Sequence, residues 1–354
     1  MPAKRPKLVR FGIVGYGGAF NMGRGHANWI NAIPGLQTVA VCDPDRARLK
    51  VATEELPGVE TYTSLADMLR KAPVDNCVII TPHNTHAPLA LQCLKAGKGV
   101  ILEKPFCLTI KEATAMIDAA REAKAMLTVF HNRRFDGDFM ALKAAIDKGL
   151  IGDLFHVEQY GGGYGHPGYW WRADKVISGG AFYDWGAHFL DWLLNIVPGP
   201  MLSVTGYFHK RVWTDVTNED QVEATIRFHS GCVANIQMSH LSMAGKPRWR
   251  VLGTKGAIEV QPRHRKLEQS LLVYRDGERG LVEEVVPYGP EPGEKTEGWG
   301  SWSLVADMYR GLADHFLLGD PVPVTPESAN RVIGVIEAAT LSALSGRPEP
   351  PTYW

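Results

Sequence analysis

Two groups of residues stand out for what their side chains do at their spacing. Glu103-Lys104-Pro105 follows directly on the apolar run 100–102, so an acid, an amine and a backbone-fixing proline sit where a buried strand would end. A lysine so placed can bind an oxygen on which negative charge develops. The second group is Asp184, His188 and Asp191, spaced i, i+4 and i+7 and therefore on one face of a helix. A carboxylate one turn before an imidazole can orient it and stabilise its protonated form, which suits a general base working near neutral pH. The structural alternatives are a solvated charged pair at the strand end and a core histidine satisfied by its helical neighbour. Asp and His at this spacing also fit a metal, but no cysteine or HExxH partner joins them, so no metal is expected.

The elements that must carry these groups follow from hydrophobic periodicity. Apolar strands at 8–14, 37–42, 76–80, 100–102 and 126–130 alternate with helical stretches after residue 18 and at 65–71, 87–96 and 111–124. That alternation predicts an α/β fold with a doubly wound parallel sheet, whose ligands collect outside the carboxyl ends of the strands. The first strand runs into Gly15-Tyr16-Gly17-Gly18 and then a helix, the context of a dinucleotide fingerprint whose glycines let the backbone approach a pyrophosphate at the helix N-terminus. Phe20 stands where the third glycine of G-x-G-x-x-G belongs, so Gly23 or Gly25 serves only if the loop is about three residues longer.

The second strand ends at Asp43, an acid that suits the adenosine ribose hydroxyls and repels a 2′-phosphate. NAD is therefore expected, and the nearby Arg46 and Arg48 keep NADP possible. Asp43-Pro44-Asp45 reads equally as a turn or helix cap. The third core strand ends in Thr81-Pro82-His83-Asn84-Thr85-His86, placed either to touch a cofactor or to cap the next helix.

Beyond residue 150 the texture changes. Strands at 154–160, 201–209, 221–228, 232–240, 248–252, 257–260, 270–274 and 281–286 predict an α+β region with an open, mostly antiparallel sheet, one face of it free for a partner subunit. Late helices are expected at 303–318 and 326–344, and the Pro/Gly/Glu-rich stretch 287–300 reads as a surface loop. Between the first two of these strands lies an aromatic loop with Tyr164, Tyr169, Trp170 and Trp171.

Composition removes several classes of partner. With 38 basic and 38 acidic residues the formal net charge is zero, so neither nucleic acid nor an anionic membrane is expected. The five cysteines are scattered, which predicts reduced thiols in the cytoplasm. Residues 1–9 are a basic tail without the apolar stretch of a signal peptide, and no segment is apolar enough to cross a bilayer.

Taken in chain order, the Gly15/Gly17 loop, Thr81-Pro82 with Asn84 and His86, Gly97-Lys98, Glu103-Lys104-Pro105, Asn132-Arg133-Arg134-Phe135, Trp171-Arg172-Ala173-Asp174, Gly179-Gly180-Ala181, and Asp184 with His188 and Asp191 form one pattern. In them the chain resembles the glucose-fructose oxidoreductase / inositol dehydrogenase / rhizopine-catabolism (Gfo/Idh/MocA) family over nearly its whole length. The resemblance implies an NAD(P)-binding Rossmann domain over 1–132 and a substrate and oligomerisation domain over 133–354, with the last helices able to pack back on the first. It implies Lys104 as the catalytic lysine, with Asp184 and His188 as carboxylate and general base. Glu103, Asn84 and His86 would lie along the nicotinamide, with Gly18, Phe20, Thr81, Pro82 and Arg133 also on the cofactor side. Trp171, Arg172 and Tyr164 would face the substrate.

The implied activity is NAD(P)-dependent oxidation of a secondary alcohol on a sugar, polyol or inositol-like molecule by a homodimer or homotetramer. An alternative is a glycoside hydrolase that oxidises its sugar transiently on retained NAD+, which needs a second acid/base from Tyr164, His166 or Tyr169. A nucleotide-binding regulator is the third reading, and the joint presence of Lys104, Asp184 and His188 speaks against it. Glu219, Asp220 and His240 stay open as substrate-side residues.

Overall fold

The computed structural model describes residues 8–261, 270–288 and 305–353. The chain divides into two units, Met1–His131 with Val305–Asn330, and Asn132–Leu304 with Arg331–Trp354.

The first unit runs β1 (Val9–Val14), α1 (Met22–Asn31), β2 (Leu36–Cys42), α2 (Arg46–Glu55), β3 (Glu60–Tyr62), α3 (Leu65–Lys71), β4 (Asn76–Ile79), α4 (His86–Lys95), β5 (Gly99–Leu102), α5 (Ile110–Ala123) and β6 (Leu127–Val129). All six strands are parallel in the order β3-β2-β1-β4-β5-β6. Strand order reverses between β1 and β4, which opens a crevice at their carboxyl ends. Every residue of β4 and β5 is buried, because crossover helices cover both faces of such a sheet. Local chemistry starts the helices: Asp45 accepts from the Ala47 amide at 2.8 Å, and Thr109 with Glu112 forms a capping box at α5. Sequence periodicity misses α2 and β3 for a simple reason. Only Leu49 and Ala52 of α2 are buried, and no residue of β3 is, so neither leaves an apolar signature.

The second unit holds α6 (Gly137–Asp147), β7 (Leu154–Gly162), α7 (Lys175–Ser178), α8 (Trp185–Ile196), β8 (Met201–His209), β9 (Gln221–Phe228), β10 (Val233–Ser239), β11 (Trp249–Gly253), β12 (Gly256–Val260), β13 (Ser270–Gly277) and β14 (Gly280–Pro287). The strands form one eight-stranded sheet in the order β14-β13-β12-β11-β7-β10-β9-β8. Every pairing is antiparallel except β7 with β10. In β9 the buried Val222, Ala224, Ile226 and Phe228 alternate with Glu223, Thr225 and Arg227, so one face is core. Helix α8 lies on that core, and a Cβ at Gly161 of β7 would collide with the Phe189 ring.

The chain ends in α9 (Val305–Leu318) and α10 (Pro326–Ser345). In the first unit Phe316 meets Phe11 edge-on at 6.0 Å, and the Thr128 hydroxyl donates to the Val324 carbonyl at 2.6 Å. The later part of α10 belongs to the second unit, where Gly206 of β8 admits the backbone of Ala339. Residues 1–7 of the expected basic tail, 289–300 of the expected loop and 303–304 of the expected helix lie outside the described residues. Among those described, no helix is long and apolar enough to cross a membrane.

Candidate functional site

In the first unit the glycine loop joins β1 to α1 at the strand-order reversal. Gly15 has φ +96°, and a Cβ there would collide with the Ile80 carbonyl, so only glycine fits. The loop is three residues longer than the short pattern, and Gly23 takes the third glycine's place. Gly23 is buried, and a Cβ on it would press on the Tyr16 ring at 2.7 Å and the Gly15 carbonyl at 3.0 Å. Close contact of helix on strand is the job of that glycine. Phe20, at the expected position, is instead 57% exposed.

Asp43 is 8% exposed and braces this loop. Its carboxylate accepts from the Tyr16 amide at 2.7 Å and the Asp45 amide at 2.9 Å, while Arg48 Nε donates to the Tyr16 carbonyl at 2.8 Å. A carboxylate has about four acceptor sites, so a ribose hydroxyl can still be held beside these two amides. The bond to the Asp45 amide is the turn that the sequence offers at Asp43.

Thr81, Pro82 and Asn84 occupy the end of β4 and the short turn after it, with Asn84 exposed. His86 is fully buried, its ring nitrogens 2.8 Å from the Pro105 carbonyl and 3.0 Å from the Thr81 carbonyl. Both neighbours only accept, so a neutral ring satisfies one contact and an imidazolium both. The ring thereby ties the end of β4 to the segment after β5. There, Glu103 and Lys104 are partly exposed, and the peptide between Lys104 and Pro105 is cis. Glu103 accepts from the Lys104 amide at 3.0 Å through Oε2 and meets His26 Nε2 at 3.0 Å through Oε1.

These residues fit a dinucleotide. The loop backbone is bare at Gly17, where a Cβ would meet nothing within 4 Å, and α1 begins without a side-chain cap, leaving amide hydrogens for an anion.

In the second unit, Asp184 is the residue before α8. Its Oδ1 accepts from Arg172 Nη1 at 2.7 Å. The Arg172 guanidinium also lies over Trp171 at 5.0 Å and Trp170 at 5.3 Å. His188 is buried one turn into α8, edge-on to Trp185 at 5.6 Å. Asp191 is held in a bidentate pair by Arg134, at 2.8 and 2.6 Å. Burial pushes the Arg134 guanidinium down, but Asp191 outweighs it and the group titrates above its ordinary value. Arg133 belongs to this unit too, paired with Asp136 at 2.9 Å and lying over Trp185 at 4.8 Å.

Tyr164 is half exposed and packs on Trp213 at 5.5 Å. Asp215 accepts from the Tyr169 hydroxyl at 2.5 Å and meets His166 Nε2 at 3.1 Å. His240 lies in the field of Asp184, Asp220, Lys210 and His166; burial lowers its pKa against the pull of the two acids. Sequence reasoning did not find Trp213 and Asp215. Their only signal was an aromatic and an acid inside a polar loop between two strands.

Glu219 and Asp220 have structural partners. Glu219 accepts from the Ala181 amide at 3.0 Å and pairs with Lys175, bracing the turn where Gly180 has φ +124°. Asp220 accepts from the Arg211 and Val212 amides at 2.5 and 2.7 Å and from Lys210 at 3.0 Å. Among the described residues no three His, Cys, Asp or Glu side chains form a group able to hold a metal.

Known proteins share this fold. Residues 9–131 match the model of an oxidoreductase family with an NAD-binding Rossmann fold, and residues 139–259 match the GFO/IDH/MocA C-terminal domain. The chain is 30% identical to scyllo-inositol 2-dehydrogenase (NAD(+)) of Bacillus subtilis over 261 residues, 71% of this chain and 73% of that one. It is 25% identical to scyllo-inositol 2-dehydrogenase (NADP(+)) IolW of the same organism, over 97% of this chain and 96% of the relative. The crystal structure of an NAD-binding protein from Listeria innocua superposes with a TM-score of 0.83 at 27% identity, covering 97% of both chains.

Proposed function

The chain belongs to the GFO/IDH/MocA family of NAD-binding oxidoreductases, and we propose that it oxidises a secondary alcohol of a sugar, polyol or inositol-like substrate, or reduces the matching ketone. Bound nicotinamide supplies the hydride acceptor. The chain's own residues manage the oxygen. His188 takes the hydroxyl proton, since an imidazole changes charge near neutral pH. Lys104 binds the alcohol oxygen and stabilises the charge that builds there. Arg172 and Asp184, locked as an ion pair against Trp171, present donors, an acceptor and an aromatic face to a polyhydroxylated ring. Gly15, Gly17 and Gly18 cradle the pyrophosphate, and Asp43 holds the adenosine ribose.

The observation that carries this reading is the position of Lys104 at the carboxyl end of β5, in a parallel sheet whose β1 runs into the glycine loop. The two relatives named for scyllo-inositol support the substrate class.

The test is a panel of sugars, inositols and polyols with added NAD+ or NADP+, read by reduced-nicotinamide absorbance. Growth of that absorbance with one of them supports the proposal. The His166–Asp215–Tyr169 cluster favours one second reading, a hydrolase that oxidises its sugar transiently, because it offers an extra acid/base. Release of an aglycone from a glycoside with no net reduction of added NAD+ would select it.

A further inference from the structure

His26 has no place in the chemistry described so far, yet it is among the most enclosed polar residues of the first unit. It projects from α1 with no exposed surface, between the rings of Phe130 at 4.4 Å, Trp29 at 5.4 Å and Tyr309 at 5.9 Å. Both ring nitrogens have partners. Nδ1 lies 2.6 Å from the Tyr309 hydroxyl of α9, and Nε2 lies 3.0 Å from Glu103 Oε1.

The proton positions follow from the partners. A carboxylate only accepts, so Nε2 carries a proton and donates to Glu103. In the neutral ring Nδ1 then accepts, and the Tyr309 hydroxyl donates to it. Tyr309 keeps its proton, since burial first and the Glu103 charge second push its pKa well above 10. The result is a line from the buried Tyr309 and His26 to the partly exposed Glu103, with its one negative charge at that far end. Every member has its partner, as a polar chain inside an aromatic box requires.

Glu103 is where this line meets the proposed chemistry. Its Oε2 accepts from the Lys104 amide at 3.0 Å, so the carboxylate fixes the backbone that carries the lysine. Without the His26 donor the carboxylate would turn toward water and release that amide. We infer that His26, clamped by Tyr309, is a positioning residue that holds Glu103 and through it Lys104 in reacting geometry. The inference deepens the oxidoreductase reading above and rests on it.

The experiment compares His26→Leu, His26→Gln and Tyr309→Phe with the parent, using NAD+ and an alcohol that the parent turns over. His26→Leu should lower kcat by about tenfold or more, the scale of a lost hydrogen bond to a charged group, with the alcohol KM and NAD+ affinity unchanged. His26→Gln offers an amide N–H near the Nε2 position and should recover most of the loss, and Tyr309→Phe should fall between. In a Glu103→Gln background, His26→Leu should cost nothing further, because residues acting through one partner are not additive.

The inference is overturned if kcat is retained in His26→Leu, if glutamine loses as much as leucine, or if the losses multiply with Glu103→Gln. Should His26→Leu fail to fold, Tyr309→Phe decides alone, since it keeps the ring and removes only the hydroxyl. A parent that reduces NAD+ with no alcohol of the panel sinks the oxidoreductase reading and this inference with it. An active parent with unaffected variants sinks the inference alone.

Discussion

The chain uses a tyrosine, a histidine and an acid together in two places, and the two places differ in their surroundings. In the first unit His26 is the centre, between Tyr309 and Glu103, and His26 and Tyr309 have no exposed surface. In the second unit Asp215 is the centre, between His166 and Tyr169, and Tyr169 is 79% exposed. The same hydrogen-bonding groups are stiff in one setting and adaptable in the other. Inside the aromatic box water cannot replace the bond between His26 and Tyr309, so the geometry of those two rings is enforced. At the surface water substitutes for either partner, so Asp215 can release His166 or Tyr169 to a ligand at small cost. The buried set suits positioning and the exposed set suits recognition.

The largest expected effects set the scale for this contrast. Lys104→Ala and His188→Ala should each lower kcat by about 10²–10⁴-fold, the range for losing a positioned acid, base or charge stabiliser, with NAD+ affinity kept. In a Lys104→Ala background Tyr309→Phe should then have no further effect on the residual rate. A further drop would mean that the line from Tyr309 acts on something other than the lysine.

Asp43→Ala should come next, weakening NAD+ binding and narrowing its preference over NADP+ in calorimetric titrations, because it removes both the proposed ribose acceptor and the brace on the Tyr16 amide. An unchanged preference would move ribose recognition to another residue.

Asp220 separates burial from location, as it lies in the same unit as Asp215 but with its side chain enclosed. Burial pushes its carboxyl up, yet the Val212 and Arg211 amides and Lys210 outweigh that and hold it below the ordinary value. Its charge therefore stabilises the fold above the unfolded-state pKa of about 3.9, and that contribution fades as pH falls through the lower folded value. Asp220→Asn should cost about 2–3 kcal/mol in urea unfolding at neutral pH, and the gap from the parent should shrink in acid. A constant gap across that range would remove the charge from the account.

The smallest effect belongs to Asp215→Asn. Its hydrogen bond raises the Tyr169 phenol above its usual value, so the substitution should return that titration to about 10 by ultraviolet absorbance, with the melting temperature unmoved. A clear loss of melting temperature would make the exposed set a structural one and erase the contrast.

Much of this molecule was legible in the sequence because its signals are local. Helix α3 and strands β8 and β9 fall at their expected residues, since each buries one periodic face. Lys104 and the glycine loop announced themselves by following apolar strands. The other expected elements lie within a few residues of their predicted ends, where caps and fraying decide. The spacing of Asp184, His188 and Asp191 predicts one helical face, and the fold gives its acids to distant arginines: Asp184, the residue before α8, accepts from Arg172 and Asp191 from Arg134.

The sequence by itself determined the alternation of core strands and helices, the parallel sheet followed by a mostly antiparallel one, the fingerprint loop and the lysine that ends β5. Those rest on interactions between residues a turn or a pleat apart. Only the tertiary structure decided that Gly23 is the third glycine, that β7 pairs in parallel with β10, and that His26 joins Glu103 to a tyrosine 283 residues away from it. Such pairings carry no periodicity, because they are fixed by which buried polar groups must satisfy one another once the core has closed.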